Sequence, residues 1–125
     1  MNILAGQFGG RRIKTVSKLP YRPIKSRVRK SIFDSLMPFR FSMVLDLFSG
    51  SGILGFEAVS RGAQSVTFVE KHGPTLRLIK QNASALAGPS YTFKHCGAVS
   101  FLRRSGSFDL IFADPPYGTD DLESL

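Results

Sequence analysis

Asp114-Pro115-Pro116-Tyr117 brings together residue types that suit one task, the holding of a planar amine. A carboxylate accepts hydrogen bonds from an amino group. A residue that precedes proline is pressed into extended backbone, so the carbonyls of Asp114 and Pro115 are held in fixed directions. Tyr117 offers an aromatic face on which a base can stack. Two acceptors and a stacking face match the exocyclic NH2 of a nucleobase. The same four residues also read as a Pro-Pro loop that ends the preceding strand, with Tyr117 as a surface aromatic.

A second motif separates these readings. Val44-Leu45-Asp46-Leu47-Phe48-Ser49-Gly50-Ser51-Gly52-Ile53-Leu54-Gly55 reads as strand, turn and helix. Gly50, Gly52 and Gly55 make the G-x-G-x-x-G spacing, in which backbone approaches a nucleotide-like ligand closely. Dinucleotide enzymes share that spacing. Asp46 discriminates: a carboxylate there sits badly beside a pyrophosphate and well beside a cationic ligand end. S-adenosylmethionine has an ammonium and a sulfonium and no phosphate. Glu70 lies 20 residues after Gly50, where an acid binds ribose hydroxyls, although an ordinary acid closing a strand is also possible there. The candidate cofactor residues are Asp46, Phe48, Ser49, Gly50, Gly52, Glu70 and Asp114. Turn chemistry alone explains Ser49 and Ser51.

These residues need a frame that brings them together. Val44 to Leu47, Ser65 to Glu70, Tyr91 to Cys96 and Phe108 to Ala113 read as strands. Helices are expected from Leu54, from Pro74 (with Leu76, Ile79, Ala83 and Leu86 at helical spacing) and over Ala98 to Leu102. Alternation of this kind predicts a parallel α/β sheet covered on both faces. Ligands of such sheets bind beyond the carboxyl ends of the strands. Asp46, Glu70, Cys96 to Ala98 and Asp114 all fall at those ends.

Size and charge bound the partners. A chain of 125 residues is one domain at most, and Cys96 is its sole cysteine, so no intrachain disulfide is expected. No apolar stretch is long enough for a membrane span and no signal-peptide core is evident, so a cytoplasmic protein is expected. No Cys/His cluster points to a metal. Residues 1–40 hold ten Lys/Arg and one acid, for +9, whereas residues 41–125 total −1. Such segregation is the footprint of phosphate-backbone binding, with a solvated basic face or an anionic membrane as the alternatives. Arg11, Arg12, Arg22, Lys25, Arg27 and Lys30 are the candidate contacts. Within the arm, Asn2 to Ala5 and Arg12 to Val16 flank a glycine-rich turn, which predicts a hairpin. Ser26 is expected to cap a helix whose Val28, Ile32 and Leu36 form its apolar stripe.

The run Asp46 to Gly55, Glu70 and Asp114 to Tyr117 resembles the class I adenosylmethionine-dependent methyltransferases. The Asp-Pro-Pro-Tyr form is similar to the motif of enzymes that methylate amino nitrogens. Gly6-Gln7-Phe8-Gly9-Gly10-Arg11, Arg22-Pro23, Arg27-Val28-Arg29 and Ile32-Phe33-Asp34-Ser35-Leu36 resemble the RsmD family, bacterial 16S ribosomal RNA (guanine-N2)-methyltransferases. The resemblance covers essentially the whole chain. It implies a Rossmann-like sheet, S-adenosylmethionine as cofactor, and ribosomal RNA within a small ribosomal subunit as partner. It implies catalytic roles for Asp114, Pro115 and Tyr117, and a backbone contact from Ala98 near the adenine. The expected division is a basic RNA-binding extension over 1–40 and a methyltransferase domain over 41–125. Ser26 stands where that family often has Asp. The family's sheet extends past the fourth strand, so a truncated form is expected, impaired or inactive, or one that covers its open edge by self-association. A DNA amino-methyltransferase and a non-catalytic RNA-binding remnant are the rival readings.

Overall fold

The apolar runs become four strands, β1 (Met43–Leu47), β2 (Ser65–Val69), β3 (Ser90–Lys94) and β4 (Leu110–Ala113). All pair in parallel, in the order β3-β2-β1-β4, which fulfils the Rossmann-like α/β expectation. The computed structural model describes residues 1–16, 24–103 and 106–115. Leu47 pairs with Val69 on one side and Ala113 on the other, so the carboxyl ends of β1, β2 and β4 lie level. β1 is central and buried from Val44 to Leu47, the continuous burial expected when both faces are covered.

Among the described residues the helices are α1 (Ser26–Ser35), which precedes β1, and α2 (Ile53–Ser60), α3 (Gly73–Ser84) and α4 (Ala98–Leu102), which alternate with the strands. One side of the sheet carries the larger core, where Val44, Val66, Phe68 and Phe112 meet Phe56, Ile79 and Phe33. Leu45, Leu47, Val69 and Ala98 form a smaller cluster, against which Phe48, Phe101 and Phe108 pack. Gly62, with φ of 122°, follows the last turn of α2 as a glycine cap should.

The amino-terminal hairpin is present, with Asn2 and Arg12 bridged antiparallel and Ile3 N–H donating to Arg11 O at 2.9 Å. It is part of the core: Ile3, Phe8 and Ile13 are buried with the sheet residues. The structure corrects the reading of α1. Lys25, not Ser26, is its N-cap, and no side chain caps it. Val28 is 45% exposed, whereas Ile32 and Leu36 pack against the core as expected, and the fully buried residues are Arg29 and Phe33. Phe33 pulls this face inward because it packs on Phe112 at 5.4 Å and Phe39 at 5.9 Å. Among the described residues β4 is an edge strand, and its Ile111 is 51% exposed, whereas Phe112 packs on Phe33.

Candidate functional site

The turn after β1 is shaped by three left-handed residues, Phe48 (φ 58°), Gly50 (φ 56°) and Gly52 (φ 82°). Phe48 is the strained member, since a bulky residue rarely adopts this backbone. Ser49 ties the turn to its flanking strands: its N–H donates to Val69 O at 3.1 Å and its hydroxyl to Asp46 O at 2.6 Å. Ser51 Oγ accepts from Ile53 N–H at 3.2 Å. Both hydroxyls are engaged within the turn.

Two acids brace this turn from opposite sides. Asp46 is buried and its Oδ2 accepts from Gly55 N–H, 3.1 Å away, at the start of α2. That contact satisfies one of the helix's otherwise open donors. Glu70 begins the segment after β2. Its Oε1 accepts from Gly50 N–H at 3.0 Å and its Oε2 from His72 N–H at 2.9 Å. The sequence separation of 20 residues between Gly50 and Glu70 is thus a direct contact.

The glycines have a second reason to be there. A Cβ on Gly55 would lie 2.5 Å from the Phe68 ring and 2.9 Å from Val66 Cγ2. One on Gly52 would meet the Phe56 ring at 2.9 Å. Close helix-to-strand packing, beyond any ligand approach, requires both.

The electrostatics of the crevice favour a cation. Burial, first of all, raises the Asp46 carboxyl well above its ordinary value; the Gly55 N–H opposes this, and the charges of Glu70 and Asp114 add to it. Among the described residues no Lys, Arg or His forms an ion pair with these three acids. This acceptor-rich set suits the ammonium and sulfonium of S-adenosylmethionine and would repel a pyrophosphate. Ala98 is buried at the first position of α4, with its backbone close to the smaller core. Asp114 and Pro115 follow β4 in exposed positions. Tyr117 and Arg22 lie outside the described residues.

The remaining basic candidates differ in their engagements. Arg12, Lys25 and Arg27 are exposed. Arg11 donates to Ala85 O at 3.0 Å and lies over the Phe8 ring at 5.8 Å. Lys30 pairs with Asp34 at 2.6 Å on the surface. Sequence reasoning missed Arg29 and Glu57, both buried and 3.8 Å apart. A signal was available: Glu57 is the one acid in α2, flanked by Ile53, Leu54, Phe56, Ala58 and Val59. An acid in so apolar a helix needs a buried partner.

Comparison with known proteins agrees with this fold. The family model described as "Conserved hypothetical protein 95" matches residues 1–125. Ribosomal RNA small subunit methyltransferase D of Haemophilus influenzae is 36% identical over 123 residues, covering 94% of this chain and 64% of that protein. The protein of the same name in Escherichia coli is 33% identical over 125 residues, covering 98% and 63%. A solved structure from Thermus thermophilus, named as a hypothetical protein, superposes with a TM-score of 0.84 at 32% identity, covering 96% of this chain and 71% of that one. The chain therefore spans less than two thirds of the length of the two curated relatives.

Proposed function

This chain belongs to the conserved hypothetical protein 95 family, that of the RsmD-type ribosomal RNA methyltransferases, and we propose that it methylates the exocyclic N2 of a guanine in 16S ribosomal RNA. The observation that carries the reading is the pair of acids on the glycine turn, Asp46 accepting from Gly55 N–H and Glu70 from Gly50 N–H, with Asp114 just past the end of the neighbouring β4. S-adenosylmethionine, when bound, supplies a methyl group on a positively charged sulfur. Asp46, Phe48, Ser49, Gly50, Gly52, Glu70 and Asp114 are the residues proposed to hold it, with the Ala98 backbone beside the adenine.

The chain's own part is to orient and to accept a proton. A guanine N2 is a weak nucleophile because its lone pair is delocalised into the ring. Hydrogen bonds from N2 to the Asp114 carboxylate and the Pro115 carbonyl favour a pyramidal nitrogen whose lone pair is available. Asp114 then receives the departing proton or hands it to water. Tyr117 stacks on the extruded base. Fixed acceptors at the mouth of a rigid sheet provide acceleration through orientation. Residues 1–40 grip the RNA backbone and 41–125 carry the chemistry, with the cytoplasmic small ribosomal subunit as the setting.

The test uses methyl-labelled S-adenosylmethionine and small-subunit particles lacking the modification, with the protein in excess. After digestion the label is expected in N2-methylguanosine and nowhere else, and Asp114→Ala is expected to abolish it while cofactor affinity stays within a few-fold. Label on an adenine or cytosine amine, or full activity of Asp114→Ala, would each overturn the assignment.

A further inference from the structure

The hairpin and α1 of the basic region meet α2 at one buried carboxylate. Glu57, in the middle of α2, accepts at Oε1 from Leu4 N–H at 2.9 Å and at Oε2 from Ala5 N–H at 3.2 Å. Arg61 Nε donates to the same Oε2 at 2.9 Å. Arg29 of α1 places Nε 3.8 Å from Oε1 and donates from Nη2 to Asn2 O of the hairpin at 2.7 Å. Ser60 adds a second tie, since its Oγ accepts from Phe8 N–H at 2.8 Å and its carbonyl from Gln7 N–H at 2.7 Å. The hairpin is therefore hydrogen-bonded to α2 through Glu57, and α1 is held there by the Arg29–Glu57 ion pair and by the Arg29 hydrogen bond to the hairpin.

The join has a consequence on the surface. An open depression of about 560 Å3 is lined by Met1, Asn2, Gly10 and Arg12 of the hairpin and by Ser26 at the start of α1. None of these is acidic, and Ser26 is flanked in the chain by the exposed Lys25 and Arg27. These cations belong to two separate elements, the hairpin and the start of α1. We propose that Glu57 is a positioning residue that holds Arg12 and the Lys25–Arg27 turn as the two walls of one seat for an RNA phosphodiester backbone. The inference rests on the reading of RNA as substrate and adds where its backbone lies and what shapes the seat. Buried ion pairs often add little net stability compared with apolar packing, so a role in fixing geometry accounts better for this one.

Charge and position predict opposite signs here, which makes the idea testable. Glu57→Gln raises the net charge by one, so electrostatics alone gives unchanged or tighter RNA binding. Gly6→Ala leaves the charge alone, but its new Cβ would lie 1.9 Å from Ser60 O, so the hairpin cannot seat on α2. Anisotropy titrations of both variants with a fluorescein-labelled fragment of 16S ribosomal RNA, over a range of salt, are compared with wild type. Binding is expected to weaken tenfold or more, with a shallower salt dependence, while S-adenosylmethionine affinity by calorimetry stays within twofold. RNA binding equal to wild type in both variants would overturn the proposal, as would an equal loss of cofactor affinity, the mark of a merely structural role. If Glu57→Gln does not fold, Gly6→Ala decides alone. Absence of salt-dependent RNA binding by the wild-type chain would instead overturn the functional reading itself.

Discussion

Asp46 shows how much of a residue's role can be read from its type and how much needs its surroundings. Its charge points to a cationic ligand as a matter of chemistry. Its bond to Gly55 N–H, which makes it a strap for α2, follows from strand burial and pleat parity, which spacing alone does not give. Its raised pKa has a sign that can be checked. Above the ordinary carboxylate value the folded state binds more protons at Asp46 than the unfolded state, so stability falls as pH rises from about 4 toward the raised value. Asp46→Asn removes that term. In urea unfolding without cofactor, the stability of wild type relative to Asp46→Asn is expected to decline as pH rises over this window; a constant difference would contradict the assignment. At Asp114 the separation is between chemistry and binding, and the Asp114→Ala variant described above is expected to lose the first and keep the second.

At the scale of elements, α2 is the part on which the site depends. Its start closes the glycine turn, its second turn holds the hairpin, and every residue from Ile53 to Ser60 is buried. Gly55→Ala is expected to cost about 1–3 kcal/mol even without ligand, because the added methyl has to displace the Phe68 ring. Chemical denaturation decides this: stability equal to wild type would return Gly55 to a purely ligand-facing role. The strands, α3 and α4 were legible because long apolar runs, Pro74 and the glycine stops agree with one another. The α1 helix was legible too, with Ile32 and Leu36 packed on the core, whereas its N-cap and the outward turn of Val28 were not, because the contact of Phe33 with Phe112 sets which face is buried. Arg29 was hidden for the same reason: its partner Glu57 lies far along the chain on another element.

For the whole molecule, the separation of +9 from −1 is its dominant electrostatic fact. Structure thins the list of free cations, since Arg11 and Lys30 already have partners, and leaves Arg12, Lys25 and Arg27 exposed. Three phosphate contacts correspond to a slope of about −2 in log K against log[salt] for single-stranded RNA. A slope near zero would remove the electrostatic reading. Among the described residues β4 is an edge strand with Ile111 half exposed, and we propose that copies of the chain pair there. Sedimentation is expected to show association that rises with concentration and is suppressed by Ile111→Lys; a monomer at all concentrations would contradict this. The acids Asp46, Glu70 and Asp114 at the strand ends are proposed to form a site for S-adenosylmethionine. Calorimetric titration tests that: one molecule of S-adenosylmethionine is expected to bind per chain, NAD is expected not to bind, and Glu70→Ala is expected to weaken the cofactor about tenfold or more, as loss of a charged hydrogen-bond partner requires. No heat with S-adenosylmethionine, or equal binding of NAD, would contradict it.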